Sequence, residues 1–198
     1  MSLQELDTQA FLWLNSLHSD FFDPIMLWIS GKNEWYPLYA FIIGSSIWRY
    51  RNRSVGMLLT IIMSVVISDR VCSGIFKPLV QRLRPCHEPS IQKLVHLVGD
   101  CGGQFGFCSS HAANTFTLAT CLFLLTEKEF PTIKYFYVWA IIVSYSRIYV
   151  GVHYPLDVLA GAGIGVLASV FCFKIYQLIT LRFTKIETTH KTISREKP

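Results

Sequence analysis

The chain has 198 residues, enough for one domain, and 52% of them are apolar against 16% charged. With a mean hydropathy of +0.38, a soluble domain of this size would struggle to stay dispersed, so the composition points to a polytopic membrane protein. The net charge of +5 is modest, and the cations are scattered or sit at segment ends rather than forming a basic stripe, which argues against nucleic-acid binding.

The chain opens on an acidic stretch, Met1 to Asp7, with no apolar core ahead of a small-residue cleavage site, so no cleavable signal peptide is apparent. Residues 8–29 follow, with Phe11, Leu12, Trp13, Leu14, Leu17, Phe21, Phe22, Ile25, Met26, Leu27 and Trp28 interrupted by Asp20 and Asp23. This pattern predicts amphipathic helical material on the membrane surface, so residues 1–34 read as an interfacial N-terminal segment.

Five spans of about 20 residues come next. They are expected over roughly 35–48, 55–80, 110–125, 133–149 and 155–181, the first of them short. The expected fold is therefore an all-α, polytopic membrane helical bundle of five to six helices, a single domain over 1–182. A polar tail, 183–198, is expected to be mobile. Loop charge orients the bundle. Arg49, Arg51 and Arg53 crowd the first loop, Lys128 and Lys134 lie in the third, and Arg182, Lys185, Lys191, Arg195 and Lys197 lie in the tail. With five spans these regions share one side, which the positive-inside rule makes cytoplasmic.

Three polar clusters then meet at the opposite, outer face. Lys77 and Arg84 are seven apart, about two helical turns, and are expected to share a helix face, with Pro78 kinking the helix and Pro85 ending it. Two such cations suit a phosphate, Arg as a fork and Lys as a point charge; snorkelling at a span end explains them more plainly. Arg82 reads as a solvated cation. Ser109-Ser110-His111 follows a stretch containing Gly99, Gly102, Gly103 and Gly106 and opens an apolar helix. The serines are either an ordinary cap or part of an anion site at a helix N-terminus, and His111 could serve as a proton donor. The third cluster is Ser146-Arg147, five residues, His153, three residues, Asp157, with Pro155 at the first position of the last span. Asp157 can hold one ring nitrogen of His153 and leave the other nucleophilic, with Arg147 reaching in; a capping Asp beside an unrelated His is the plainer account. Coincidence of all three clusters on one side favours the functional reading. Ionisable groups in such places are costly unless used.

These residues closely resemble the type 2 phosphatidic acid phosphatase (PAP2) superfamily, whose pattern is Lys-x6-Arg-Pro, then Pro-Ser-Gly-His, then Ser-Arg-x5-His-x3-Asp. The first and third parts are complete at Lys77 to Arg84-Pro85 and at Ser146-Arg147 to His153 and Asp157; the second departs, with Cys108 in place of Pro and Ser110 in place of Gly. The resemblance implies that His153 attacks phosphorus, Asp157 orients it, His111 protonates the leaving oxygen and then helps activate water, and Lys77, Arg84, Arg147, Ser109 and Ser110 hold the phosphate oxygens. It implies no cofactor and no metal, and the chain shows no carboxylate cluster suited to magnesium. It further implies a multi-pass protein of the bacterial inner membrane with its site facing the periplasm. The implied substrate is a membrane lipid phosphate: undecaprenyl diphosphate or lipid A foremost, with phosphatidic acid and phosphatidylglycerol phosphate also open. A soluble phosphate ester, a phosphotransferase reaction and a silent lipid-binding or transport protein are the competing readings. Oligomeric state is not legible.

Other residues carry weaker signals. Cys72, Cys121 and Cys172 fall in apolar segments and read as packing residues, whereas Cys86, Cys101 and Cys108 share one loop, where Cys86–Cys101 could pair if the loop is extracytoplasmic. Asp69 and Arg70 read either as support for the site or as an intramembrane polar contact. Gly161, Gly163 and Gly165 read as close helix packing rather than a phosphate loop.

Overall fold

The computed structural model describes the backbone of residues 2–195 and the side chains of residues 2–182. It is all-helical apart from one isolated bridge between Leu83 and Phe105. In chain order the α-helices are α1 (Leu3–Ser16), α2 (Phe22–Ser30), α3 (Tyr36–Tyr50), α4 (Asn52–Asp69), the single turn α5 (Lys77–Val80), α6 (Ser110–Thr126), α7 (Phe136–Tyr149) and α8 (Pro155–Arg195). Helix α6 is central, packed on α8, α4 and α7. The helical backbone of α8 continues to Arg195; the side chains beyond 182 lie outside the described residues.

Two stretches, Asn52–Val80 and Pro155–Arg182, are long and apolar enough to cross a membrane. Helices α3, α6 and α7, at 15, 17 and 14 residues, are shorter than the roughly 20 a straight span asks for; short 3₁₀ turns at Asn33–Trp35 and Pro131–Tyr135 lengthen two of them. Large apolar side chains such as Phe41, Trp48, Leu59, Leu167 and Leu178 point outward and would face lipid. An ion pair between Arg49 and Glu129 (2.9 Å) places the 49–53 and 127–134 connections at one end of the bundle, and the three polar clusters lie at the other.

The second predicted span is not a uniform helix. It runs as α4, widens into a π-helix over Arg70–Phe76, and resumes as α5. Pro78 lacks an N–H and would clash with a carbonyl one turn back, so widening the ring ahead of it relieves the chain. The π segment carries Cys72, Ser73 and Lys77's approach, and Gln81, in a left-handed conformation (φ 50°), then ends the helix. Lys77 and Arg84 therefore do not share a helical face, contrary to the expectation from their spacing.

The N-terminal segment resolves into two helices. Outward-facing Leu3, Leu6, Trp13 and Leu17 remain exposed, as an interfacial helix requires, but the other face of α1 is built into the protein. Phe11 is fully buried with Ile91, Ala112, Ile148, Tyr154 and Val158. Buried Asn15 donates to the carbonyls of His96 (3.0 Å), Ile148 (3.3 Å) and Tyr149 (2.8 Å) and accepts from the His96 N–H (2.8 Å). A capping box between Ser2 and Glu5 starts the helix.

Helices α6 and α8 approach closely because of two glycines. A Cβ at Gly161 would strike the Ser109 carbonyl and one at Gly165 the Ala113 carbonyl, while Gly163 faces open space. Close packing is thus the role of two of the three glycines. Gly161→Val should push Ser109 and the start of α6 away from α8, lowering both the melting temperature in detergent and the turnover of the folded fraction by about tenfold or more. Wild-type activity in a well-folded Gly161→Val protein would show that this contact is not needed to place Ser109.

Candidate active site

The site is built at the junction of α6, α7 and α8. Pro155 occupies the first position of α8 and His153 stands just ahead of it, fully buried. Asp157, also fully buried, sits in the first turn. Its Oδ2 lies 3.4 Å from His153 Nδ1 and accepts the Tyr154 N–H at 3.0 Å. The capping and histidine-orienting readings of Asp157 thus hold together: one oxygen does both. With Nδ1 facing the carboxylate, Nε2 is the nitrogen left for chemistry. Burial drives the His153 ring well below its ordinary pKa, and the positive charges of Arg84, Arg147 and Lys77 push it further down. Both effects favour the uncharged form of the ring.

Three cations lie within electrostatic range of this histidine. Arg84 arrives from an extended segment whose backbone is tied to Gln104 (N–H to O, 3.1 Å), and its guanidinium donates to the carbonyls of Cys101 (2.9 Å) and Phe105 (3.4 Å). Burial lowers its pKa, opposed by Asp157 and Asp100; an arginine remains cationic regardless. Gly106 lies against this pair: a Cβ there would come within 3.0 Å of Asp157 Oδ2 and 3.3 Å of Arg84 Cγ. Arg147, near the end of α7, donates through Nη1 to the Ser30 carbonyl (3.2 Å) and to the Ser30 hydroxyl, while its buried Nε has no partner among the described residues. Lys77 lies within electrostatic range of Arg84 and Arg147.

Helix α6 supplies the rest. Ser109 caps it, accepting the Ala112 N–H (3.4 Å), and its own N–H donates to the Asp157 carbonyl at 2.9 Å, tying the starts of α6 and α8 together. Ser110 shares a 2.8 Å hydrogen bond with Ser73 of the π segment. His111 lies within electrostatic range of His153, Arg147, Lys77 and Lys32. From Ser110, His111 and Lys32 an apolar cavity of about 620 Å³ opens between α3, α4 and α6, lined by residues such as Tyr39, Ile42, Leu58, Ile62, Val66 and Leu118. Asp69 also lines it, accepts from Asn114 (3.4 Å) and is an electrostatic neighbour of Lys77, so both readings of that residue have a contact behind them.

All eight residues singled out from the sequence converge on this end of the bundle: Lys77, Arg84, Ser109, Ser110, His111, Arg147, His153 and Asp157. Sequence reasoning missed others. Arg82 is not a solvated cation. Its Nη1 lies 3.1 Å from Asp157 Oδ1 and 2.7 Å from Asp7 Oδ2, and its guanidinium stacks 3.7 Å from the Tyr154 ring centroid. Those partners lie far away in the chain, so no local spacing announces them. Cys72 packs in a buried cluster with Cys108 and Ala113, as expected, but is also bonded to Cys108, and Cys86 is bonded to Cys101. The first disulfide fastens the residue preceding Ser109 to the π segment, at the position where the family pattern has Pro. Cys121 and Cys172 are free and buried.

A buried histidine beside a carboxylate, with three cations and a capped helix start near it, is an arrangement suited to taking up a phosphate group. The PAP2 superfamily model matches residues 38–181, and the chain belongs to that superfamily. It is 38% identical over 183 residues to a lipid A 4'-phosphatase of Bacteroides thetaiotaomicron, covering 91% of this chain and 81% of that protein. It is 33% identical over 179 residues to a lipid A 4'-phosphatase of Porphyromonas gingivalis, covering 87% and 73% respectively. The crystal structure of Aquifex aeolicus LpxE superposes with a TM-score of 0.65 at 25% identity, covering 88% of this chain and 99% of that one.

Proposed function

We propose that the chain removes a phosphate monoester from lipid A, at the 4' position, at the outer face of the bacterial inner membrane, through a phosphohistidine. The observation that carries the mechanism is the buried His153–Asp157 pair within electrostatic range of Lys77, Arg84 and Arg147. His153 Nε2 attacks phosphorus as the bond to the lipid oxygen breaks, and His111 gives that oxygen a proton. Water then attacks phosphorus, yielding its proton to His111 as the P–N bond breaks and phosphate departs. The cations, Ser109 and Ser110 hold the non-bridging oxygens while charge builds on them.

The relatives' names support lipid A as the substrate, and the apolar cavity beside His111 supports a lipid over a soluble ester. The outer-face assignment rests on the positive-inside rule, with Arg49, Arg51, Arg53, Lys128 and Lys134 at the end away from the site. Two disulfides at the site end suit an oxidising compartment.

The test is phosphate release by purified protein in detergent with excess chelator, across lipid A, undecaprenyl diphosphate, phosphatidic acid and phosphatidylglycerol phosphate. Lipid A should be turned over fastest, metal-free, and vanadate should inhibit. Faster release from another lipid would overturn the substrate assignment, and no release without metal would overturn the mechanism.

A further inference from the structure

Phosphohistidine chemistry needs the His153 ring held still, and the structure shows what holds its holder. Asp157 has two oxygens. Oδ2 serves His153 and the Tyr154 N–H; Oδ1 faces Arg82. The same Arg82 nitrogen faces Asp7, whose other oxygen accepts the Leu156 N–H at 2.9 Å, in the first turn of α8. Asp7 thus touches both the cation that grips Asp157 and the helix that carries it. Side-chain exposure is 1% for Asp7, 0% for Asp157 and 16% for Arg82, so this is a desolvated carboxylate–guanidinium–carboxylate bridge.

Such a bridge is a poor device for stability alone, because burying two carboxylates costs about as much as their pairing returns. It is a better device for fixing geometry: Arg82 is held between the two carboxylates, and although Asp7 Oδ2 meets it as an ion pair without hydrogen-bond geometry, Asp7 Oδ1 is fixed by the Leu156 N–H. Asp7 lies outside residues 38–181, the part matched by the family model.

We propose that Asp7 and Arg82 are positioning residues for the phosphatase reaction: α1, through Asp7 and Arg82, sets the orientation of the Asp157 carboxylate and with it the His153 ring. The inference rests on His153 being the nucleophile. Neither residue touches the phosphate in this scheme, so their loss acts on kcat rather than on substrate binding.

The test uses the full-length protein in detergent with the preferred lipid of the panel. Asp7→Asn keeps an acceptor for the Leu156 N–H and removes the charge facing Arg82. It should lower kcat about tenfold with KM within about twofold, and Arg82→Gln about 30- to 100-fold, as small misplacements of a reacting group do. Because the two act in series, Asp7→Asn/Arg82→Gln should match Arg82→Gln alone rather than multiply. Arg82→Lys, which retains one donor nitrogen for both carboxylates, should recover most of the loss. Wild-type kcat in Asp7→Asn, or multiplicative effects in the double variant, overturns the proposal. If Asp7→Asn fails to fold, equal kcat for Arg82→Lys and Arg82→Gln overturns it instead. His153→Ala run alongside separates the layers: an active His153→Ala removes the nucleophile reading itself, whereas an inactive one beside an unaffected Asp7→Asn removes the present inference alone.

Discussion

His153→Ala is expected to abolish phosphate release, lowering kcat by at least about 10³-fold, while the protein still folds and runs as one species in detergent. The size follows from the division of labour. The cations, Ser109 and Ser110 would still bind the phosphate, but no other group is placed to take it: His111 is offered as the acid and Asp157 is turned to Nδ1 and to the Tyr154 N–H. Removing a buried ring leaves a cavity, so the melting temperature should fall by a few degrees; KM should move little. Asp157→Asn should be milder than His153→Ala, because the ring remains in place but loses the carboxylate that fixes its tautomer. A fully active, well-folded His153→Ala protein would sink the covalent mechanism and leave direct attack by water as the alternative. Acid-labile radiolabel trapped on wild-type protein, and absent from His153→Ala, would be the positive counterpart.

The helical bundle and the eight candidate residues were legible because a membrane chain has few reasons to place ionisable groups at the ends of apolar runs. Lys77, Arg84, His111, Arg147, His153 and Asp157 stand out against such a background. What was not legible depends on contacts distant in sequence. Arg82 sits two residues from Arg84 and looks the same in the chain; its role comes from Asp7 and Asp157, 75 positions on either side. Ser30 is an unremarkable helix-end serine until Arg147 is seen against it. Cys72 lies in an apolar run and carries no sign that the chain brings Cys108 alongside. The Lys77–Arg84 spacing even suggested a wrong geometry, because the π segment and left-handed Gln81 break the helix between them. Phe11 and Asn15 gave α1 an amphipathic look that the sequence could assign to the membrane surface, whereas their buried face is used to lock the helix onto α7 and α8.

Arg147→Ala is expected to lower kcat/KM by about 10³-fold, and Arg147→Lys to recover little of it. The reason lies in which donors are already occupied. One terminal nitrogen is committed to Ser30, which fixes the direction of the guanidinium, while buried Nε has no partner among the described residues. A desolvated donor without a partner is expensive to maintain, and a phosphate oxygen arriving between Arg147, Arg84 and Lys77 would satisfy it. Lysine offers a point charge without the planar fork and cannot keep the Ser30 contact and reach the phosphate together. Ser30→Ala should cost less, within about tenfold, because the Ser30 carbonyl still holds Nη1. The competing account is that Arg147 merely fastens α7 to α2, and affinity for vanadate separates the two. Loss of a phosphate-holding cation should weaken vanadate inhibition in parallel with kcat/KM, whereas loss of a helix clamp should lower the melting temperature and leave vanadate affinity of the folded protein unchanged. Unchanged vanadate affinity in Arg147→Ala would therefore remove Arg147 from the phosphate site.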